Sequence, residues 1–140
     1  RVFLVARFAE VAKVREEVVS GNGRTDITIQ PTNGSQDAAV LELKTIRDVR
    51  TPKRAGNIPI DIPLPTNIRW AKSGIQQAAA YRDRERFTGA FLCLYDFCAT
   101  QGKTVEAEIA EPAIKYRVCV KRYWITASHE ELREAVYPVA

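Results

Sequence analysis

The sequence lacks several features that would assign a protein class at once. Methionine is absent, only one histidine and three cysteines occur, and no apolar run approaches the roughly 20 residues of a membrane-spanning helix. A small, odd number of cysteines argues against a disulfide framework and fits a reducing compartment such as the cytoplasm. No signal peptide is visible. Because the chain begins with Arg1 instead of methionine, we expect residues 1–140 to be a single domain excised from a longer protein.

The residues that are present are typical of one globular domain. The chain has 140 residues, of which 46% are hydrophobic and 27% are charged. A domain of this size can bury a core without disulfide or metal cross-links. The 21 basic and 17 acidic residues give a net charge of +4, which permits a polyanionic partner without requiring one.

A zinc site built from the cysteines and the histidine is disfavoured by their spacing. Cys93 and Cys98 are close in sequence, whereas Cys119 and His129 are distant, and this arrangement matches no compact zinc-binding pattern. Cys93 and Cys119 also lie in apolar, strand-like runs, where a free cysteine is usually a small core residue. We therefore do not expect a zinc ion.

Hydrophobic periodicity and turn residues predict an α/β layer domain with a mixed sheet. The predicted order is helix, three strands, helix, two strands and helix, at residues 2–13, 14–20, 24–30, 38–46, 74–87, 89–97, 115–126 and 129–136. The Gly-Asn-Gly turn at 21–23 predicts a hairpin, because these residues accept positive φ at little cost. Ser73 and Gln76 form a capping-box pattern at the second helix. The proline-rich stretch 47–72 is predicted to wrap the surface or form a binding loop.

One charged pattern stands out within the most core-like predicted strand, residues 38–46. Glu42 and Lys44 are two residues apart, so both project from the same face, roughly 7 Å apart at about 3.3 Å per residue. Leu41 and Leu43 are predicted to point the opposite way, into the core. A carboxylate and an ammonium group on a buried strand are costly without a partner or a purpose.

Asp26 lies on the neighbouring predicted strand, where it is placed to reach the same patch. Two carboxylates suit a hard divalent cation such as Mg²⁺, which takes oxygen ligands and retains waters. Lys44 would then orient a water molecule, lower the pKa of that water or neutralise phosphate charge.

Three motifs, in this order, resemble those of the PD-(D/E)xK nuclease superfamily. They are G-R-T-D-I at 23–27, L-E-L-K at 41–44 and Q-A-A-A-Y at 77–81, the last being the Q-x-x-x-Y signature of the RecB-like branch. Thr25 stands where the proline of the motif would be. The resemblance covers about residues 3–97. It implies a restriction-endonuclease-like core of helix, three-stranded meander, helix and strand, followed here by a C-terminal strand–helix extension.

The resemblance also implies roles for individual residues. Asp26 and Glu42 would bind Mg²⁺ or Mn²⁺ through their carboxylates, and Leu43 would bind it through its carbonyl oxygen. Lys44 would be the catalytic lysine.

Residues on two helices would complete such a site. Gln77 and Tyr81 would lie near the active site and the nucleic-acid backbone, on one helix face because they are four residues apart. Glu10, in the predicted first helix, is the candidate for an additional metal ligand. Read without the resemblance, Gln77 is an ordinary polar helix position, Tyr81 is a core aromatic residue and Glu10 is a solvated helix residue.

Basic residues and one tryptophan flank these motifs and are candidates for nucleic-acid binding. They are Arg47, Arg50, Lys53, Arg54, Arg69, Trp70 and Lys72. Lysine and arginine that neutralise phosphates supply non-specific affinity, and a tryptophan can stack on a base. A solvated loop would carry similar charges, and Trp70 could instead close the core beneath the proline-rich stretch.

These observations predict a metal-dependent deoxyribonuclease domain acting in DNA repair, in restriction or phage defence, or as an antibacterial toxin. The expected partner is DNA, with RNA as the alternative, besides the rest of a parent protein and, for a toxin, an inhibitor or immunity protein. No membrane partner is expected. The competing class is a non-catalytic nucleic-acid-binding or protein-interaction module that keeps the fold. Read without a catalytic role, Glu42 and Lys44 would be a solvated cross-strand pair on an exposed sheet face, and Asp26 would merely close the hairpin region.

Overall fold

A five-stranded mixed β-sheet forms the centre of the protein. The computed structural model describes residues 12–20, 23–33, 37–50, 58–126 and 133. The strands are β1 (Ala12–Ser20), β2 (Gly23–Pro31), β3 (Ala39–Ile46), β4 (Val49–Arg50), β5 (Ile60–Asp61), β6 (Gly89–Asp96) and β7 (Cys119–Trp124). The helices are α1 (Leu64–Glu85), α2 (Gly102–Glu108) and α3 (Ala110–Tyr116). The sheet order is β1-β2-β3-β6-β7, and β4 pairs with β5 in a separate ribbon.

The sheet changes from antiparallel to parallel pairing at β3. β1, β2 and β3 form an antiparallel meander, whereas β6 is parallel to β3 and β7 is parallel to β6. Parallel neighbours need a crossover connection, which α1 provides between β3 and β6, and α2 with α3 provides between β6 and β7. The structure therefore confirms the predicted α/β class with a mixed central sheet.

The helix predicted at 74–87 begins much earlier, at Leu64. Pro63 is the N-cap residue with an extended backbone, and Pro65 lies in the first turn. Proline is favoured there because the first helical N–H groups have no intrahelical acceptor. The expectation that the whole of 47–72 is a loop was therefore wrong, since its later prolines mark a helix start.

The predicted capping box was also wrong. Ser73 and Gln76 lie inside α1, and the Ser73 hydroxyl donates a hydrogen bond of 2.6 Å to the carbonyl oxygen of Trp70. A serine in the interior of a helix can bond its hydroxyl to a backbone carbonyl in the preceding turn, so the motif did not mark a helix terminus.

Two short helices were not predicted, and one strand is shorter than expected. α2 and α3 have seven residues each, too few to show a clear amphipathic period. The strand predicted at 115–126 begins only at Cys119, because α3 extends to Tyr116 and Arg117 ends it in the left-handed conformation.

Both predicted terminal helices fall mainly outside the described residues. Residues 2–11 are not described, and residues 12 and 13 belong to β1 instead of to a helix. Of the helix predicted at 129–136, only residue 133 is described, and it is helical.

The hydrophobic core lies between the sheet and the three helices. Its fully buried members include Val40 and Ile46 of β3, Leu92 and Leu94 of β6, and Ala71, Ile75 and Ala78 of α1. The small residues of α1 let the helix approach the sheet closely. A Cβ atom at Gly74 would lie only 2.8 Å from both the Leu92 Cδ1 and the Lys44 Cγ atoms, so a larger residue there would displace the sheet side chains.

A buried carboxylate at the end of β6 ties β7 and α2 to the sheet. Asp96 is 1% exposed, and both of its carboxylate oxygens are hydrogen-bonded. Oδ2 accepts a hydrogen bond of 2.7 Å from Arg122 Nη1, and Oδ1 accepts one of 2.9 Å from the backbone N–H of Cys98. Arg122 also donates from Nε to the partly exposed Glu106. This carboxylate is fully satisfied by protein groups and therefore has a structural role.

We expect Asp96→Asn to lower the free energy of unfolding by about 2–3 kcal/mol, because the Arg122 guanidinium loses its buried counter-charge. Urea denaturation monitored by circular dichroism measures this change. Glu106→Gln is the matched control, because its side chain is 45% exposed and such a pair contributes about 0–1 kcal/mol. An equal decrease in the free energy of unfolding in the two variants would contradict the structural role of Asp96.

Candidate active site

The predicted site residues of β2 and β3 meet where these two strands separate. The β2–β3 pairing runs from Ile29–Ala39 to Ile27–Leu41 and stops there. The β1–β2 pairing continues beyond this point as far as Ser20–Gly23. The β1–β2 hairpin therefore diverges from β3 at Asp26 and opens a gap in the sheet.

Asp26 bridges this gap with its side chain. The backbone N–H of Leu43 donates a hydrogen bond of 2.8 Å to Asp26 Oδ2, in place of the ladder hydrogen bond that the separated strands no longer make. The N–H and the C=O of one residue project to the same side of an extended strand. The carbonyl oxygen of Leu43, a predicted metal ligand, therefore faces the same gap as Asp26.

Glu42 and Lys44 lie on the face of β3 that α1 covers, which corrects the sequence-based expectation. They are 1% and 8% exposed, respectively, whereas Leu41 and Leu43 are only half-buried on the other face. The alternation of a strand shows which residues share a face, but not which face a helix will cover. A solvated pair on an open sheet face is also excluded for Glu42 and Lys44.

An ion pair makes this burial tolerable. Lys44 Nζ lies 3.0 Å from Glu42 Oε1, so each charged group has an opposite charge in contact. Removing either partner would leave the other charge uncompensated in the interior.

Three residues on one face of α1 hold the Lys44 side chain. Its Nζ atom donates a hydrogen bond of 3.3 Å to Gln77 Oε1 and lies 4.2 Å from the centroid of the Trp70 ring. Its aliphatic stem packs against Gly74. The structure thus brings Gln77 to the predicted site. It also adds Trp70, whose contact with Lys44 was missed although its spacing of seven from Gln77 places both on one helix face.

The second oxygen of Glu42 has no partner. Among the described residues, Glu42 Oε2 is the one buried side-chain polar atom without a hydrogen bond. Burial raises the pKa of the Glu42 carboxyl group, the hydrogen bond and charge of Lys44 oppose this rise, and the nearby negative charge of Asp26 adds to it. Glu42 therefore differs from Asp96, which is equally buried but fully hydrogen-bonded.

This donor set suits a hard divalent cation. The Asp26 carboxylate and the Leu43 carbonyl face the same gap, and Asp26 is near enough for its charge to raise the pKa of Glu42, whose second oxygen has no partner. Mg²⁺ needs few protein oxygens because it retains waters. Within the described residues, no group of three or more histidine, cysteine, aspartate and glutamate side chains is placed to hold a metal. Glu10, the candidate for an additional ligand, lies outside the described residues.

Tyr81, one turn beyond Gln77, belongs to the hydrophobic core. It is buried, and the Arg84 guanidinium lies 5.2 Å from the centroid of its ring. The aromatic ring thus contributes to packing beneath α1.

The predicted nucleic-acid-binding residues divide into three groups. Arg47, Arg50, Arg69 and Trp70 line one groove of ≈590 Å³. Lys72 is exposed on α1 and lines a neighbouring pocket, which shares Arg69 with that groove. Lys53 and Arg54 lie outside the described residues.

The three cysteines are free thiols that differ in exposure. Burial raises the pKa of Cys93, and burial together with the Asp96 carboxylate raises the pKa of Cys98 to about 12, whereas Cys119 is exposed.

Since the thiolate is the reactive form, we expect an alkylating reagent at neutral pH to modify Cys119 alone in the native protein. Mass spectrometry counts the modified sites, and denaturant should expose all three. Native modification of Cys98 as fast as Cys119 would contradict its burial.

Comparison with known proteins adds no assignment, because no protein-family model matches the chain and no curated protein sequence is significantly similar. In the described part of the chain, no helix combines the length and the apolar character needed to cross a bilayer.

Proposed function

We propose that this chain is a metal-dependent nuclease domain of the PD-(D/E)xK type that hydrolyses phosphodiester bonds in DNA. The unpartnered Glu42 oxygen is the observation that carries this proposal, because a buried carboxylate oxygen without a hydrogen bond costs about 1–3 kcal/mol unless something else binds it. It adjoins a second carboxylate, Asp26, and a buried lysine, Lys44. Such a cluster is suited to a cation and a phosphate.

The order of the elements supports the same proposal. A three-stranded antiparallel meander, a helix and a strand parallel to the third strand follow one another as β1, β2, β3, α1 and β6. Apart from the first helix, whose residues lie outside the described part of the chain, this order is the one expected for the restriction-endonuclease-like core that the sequence motifs imply. The gap between β2 and β3 lies at the aspartate of the first motif, and the lysine of the second motif contacts the glutamine of the third.

Each residue of the site has a role in this reaction. Asp26 and Glu42 would hold Mg²⁺ or Mn²⁺ with the carbonyl oxygen of Leu43. Such an ion, when bound, polarises the phosphate and lowers the pKa of a coordinated water. Lys44 is placed to donate a hydrogen bond to the attacking water or to the phosphate oxygens as negative charge develops. Gln77 and Trp70 restrict where the Lys44 ammonium group can lie.

We expect the purified protein to cleave plasmid or linear DNA in the presence of Mg²⁺ or Mn²⁺ and to lose this activity when EDTA is added. Gel electrophoresis of the products measures cleavage, and restoring excess metal after EDTA is the control for irreversible damage. Cleavage that survives EDTA would contradict metal dependence. DNA binding that weakens with salt, without cleavage under either metal, would favour the non-catalytic binding module.

A further inference from the structure

A cationic groove lies directly beside Lys44, on the face formed by α1 and the end of β3. Its wall includes Arg47, Arg50, Arg69 and Trp70, with Thr45 next to Lys44 in sequence. Its volume of ≈590 Å³ falls within the about 300–1,000 Å³ of pockets that hold small molecules. The groove is therefore large enough for individual nucleotide units but not for a double helix.

The groove has a rigid frame. Asn67, buried in α1, donates hydrogen bonds from Nδ2 to the Arg47 carbonyl oxygen at 3.0 Å and to Gln101 Oε1 at 2.9 Å. Gln101 in turn donates from Nε2 to the Ile62 carbonyl oxygen at 3.1 Å. These bonds connect the segment after β3, the segment after β5 and the start of α1, so the groove walls are held at a set separation.

The arginines of the groove lack acidic partners. Among the described residues, no ion pair involves Arg47, Arg50 or Arg69, although Arg47 lies 5.7 Å from the ring of Phe97. All three side chains are exposed. Three unneutralised guanidinium groups around one concave surface favour an anion with several charges, such as a run of phosphates.

Trp70 connects this groove to the candidate active site. Its ring contacts the Lys44 ammonium group at 4.2 Å, and the side chain is still 49% exposed. A half-exposed tryptophan beside arginines is the combination on which unpaired bases stack while phosphates bind the cations. In a duplex the bases are already stacked on each other, so no base face is available to stack on the exposed indole ring.

We propose that this groove is a subsite for single-stranded DNA, in which an unpaired base stacks on Trp70 and the adjoining phosphates bind Arg47 and Arg69. The contact between Trp70 and Lys44 places the neighbouring phosphodiester at the carboxylates of the active site. The subsite thus selects unpaired strands, frayed ends or flaps for cleavage. The position of the scissile bond rests on the proposed nuclease function, whereas strand binding by the groove does not.

The test measures binding without cleavage, in EDTA. The chain contains only Trp70 and Trp124, so Trp124→Phe leaves Trp70 as the sole indole reporter. A short oligothymidylate should quench Trp70 emission, and fluorescence anisotropy of a labelled oligothymidylate gives the affinity. Trp70→Ala should weaken binding roughly 10- to 100-fold, and Trp70→Phe, which keeps an aromatic face, should weaken it less.

The charge contribution is tested separately. Arg47→Ala and Arg69→Ala should each reduce the slope of log affinity against log salt by roughly 0.7, the value for one phosphate on a single strand. Lys103→Ala is the matched control, because it removes one exposed positive charge from α2, outside the groove, and should change neither slope nor affinity. Thermal unfolding of every variant verifies that the fold is retained.

Four outcomes would overturn the subsite. The first two are tighter binding of a matched duplex, or of oligouridylate, than of oligothymidylate. The other two are unchanged Trp70 emission on binding, and equal losses of affinity for oligothymidylate in Lys103→Ala and Arg47→Ala. If the protein cleaves DNA while Trp70 does not respond, the subsite is wrong and the nuclease function stands. If oligothymidylate quenches Trp70 while no metal supports cleavage, the nuclease function is wrong and the groove still binds single strands.

Discussion

Replacing Lys44 with alanine should reduce the rate of DNA cleavage by about 10²- to 10⁴-fold, the usual contribution of a positioned proton donor or buried cation. The reason is its placement, since Nζ contacts Glu42, Gln77 and the Trp70 ring at once and the Lys44 residue is only 8% exposed. A water molecule filling the vacated space carries no charge with which to stabilise the pentavalent phosphate. The measurement is the cleavage rate at saturating Mn²⁺.

Lys44→Arg should not restore the activity. The Lys44 stem packs against α1 at Gly74, where even a methyl group would be too close, so a wider guanidinium cannot reach the same position. Lys103→Ala again serves as the control for loss of a positive charge and should cleave at the wild-type rate. A Lys44→Ala protein that is folded by circular dichroism and cleaves DNA normally would remove Lys44 from the active site.

Replacing Glu42 with glutamine should abolish the stabilisation of the protein by divalent cations. In the wild-type protein, a ligand at about 100 times its dissociation constant adds about 2.7 kcal/mol to the free energy of unfolding. For a domain of this length we expect Mg²⁺ or Mn²⁺ to raise the Tm by roughly 5–10 °C. Glutamine has almost the same shape as glutamate but no negative charge, so this shift and the cleavage activity should both disappear.

The metal-induced shift distinguishes a metal ligand from a structural carboxylate. Glu42→Gln removes the counter-charge that the buried Lys44 ammonium group contacts, so it should lower the metal-free Tm and also abolish the metal-induced shift. Asp96→Asn, at an equally buried but fully hydrogen-bonded position, should lower the metal-free Tm and retain the metal-induced shift. A full metal-induced shift in Glu42→Gln, or its loss in Asp96→Asn, would contradict the proposed metal site.

Sequence reasoning predicted the strands better than the helices. β2, β3 and β6 were predicted nearly to their ends, because a strand is a local pattern of alternating or apolar residues between turn signals. α1 was predicted to begin too late, because the prolines near residue 65 also suit a loop, and only the packing of the following turns against the sheet selects a helix start. α2 and α3 are too short for a periodic signal.

The sequence by itself determined where β2, β3 and β6 lie and that Glu42 and Lys44 share a face, since strand periodicity is a local property. Only the tertiary structure decided that this face is the one beneath α1, that pairing of β2 with β3 stops at Asp26, and that Trp70 lies against Lys44. These features depend on residues far apart in the chain. The physical consequence is the removal of water, because packing α1 over β3 leaves one Glu42 oxygen buried without a partner, and on that atom the proposed metal site depends.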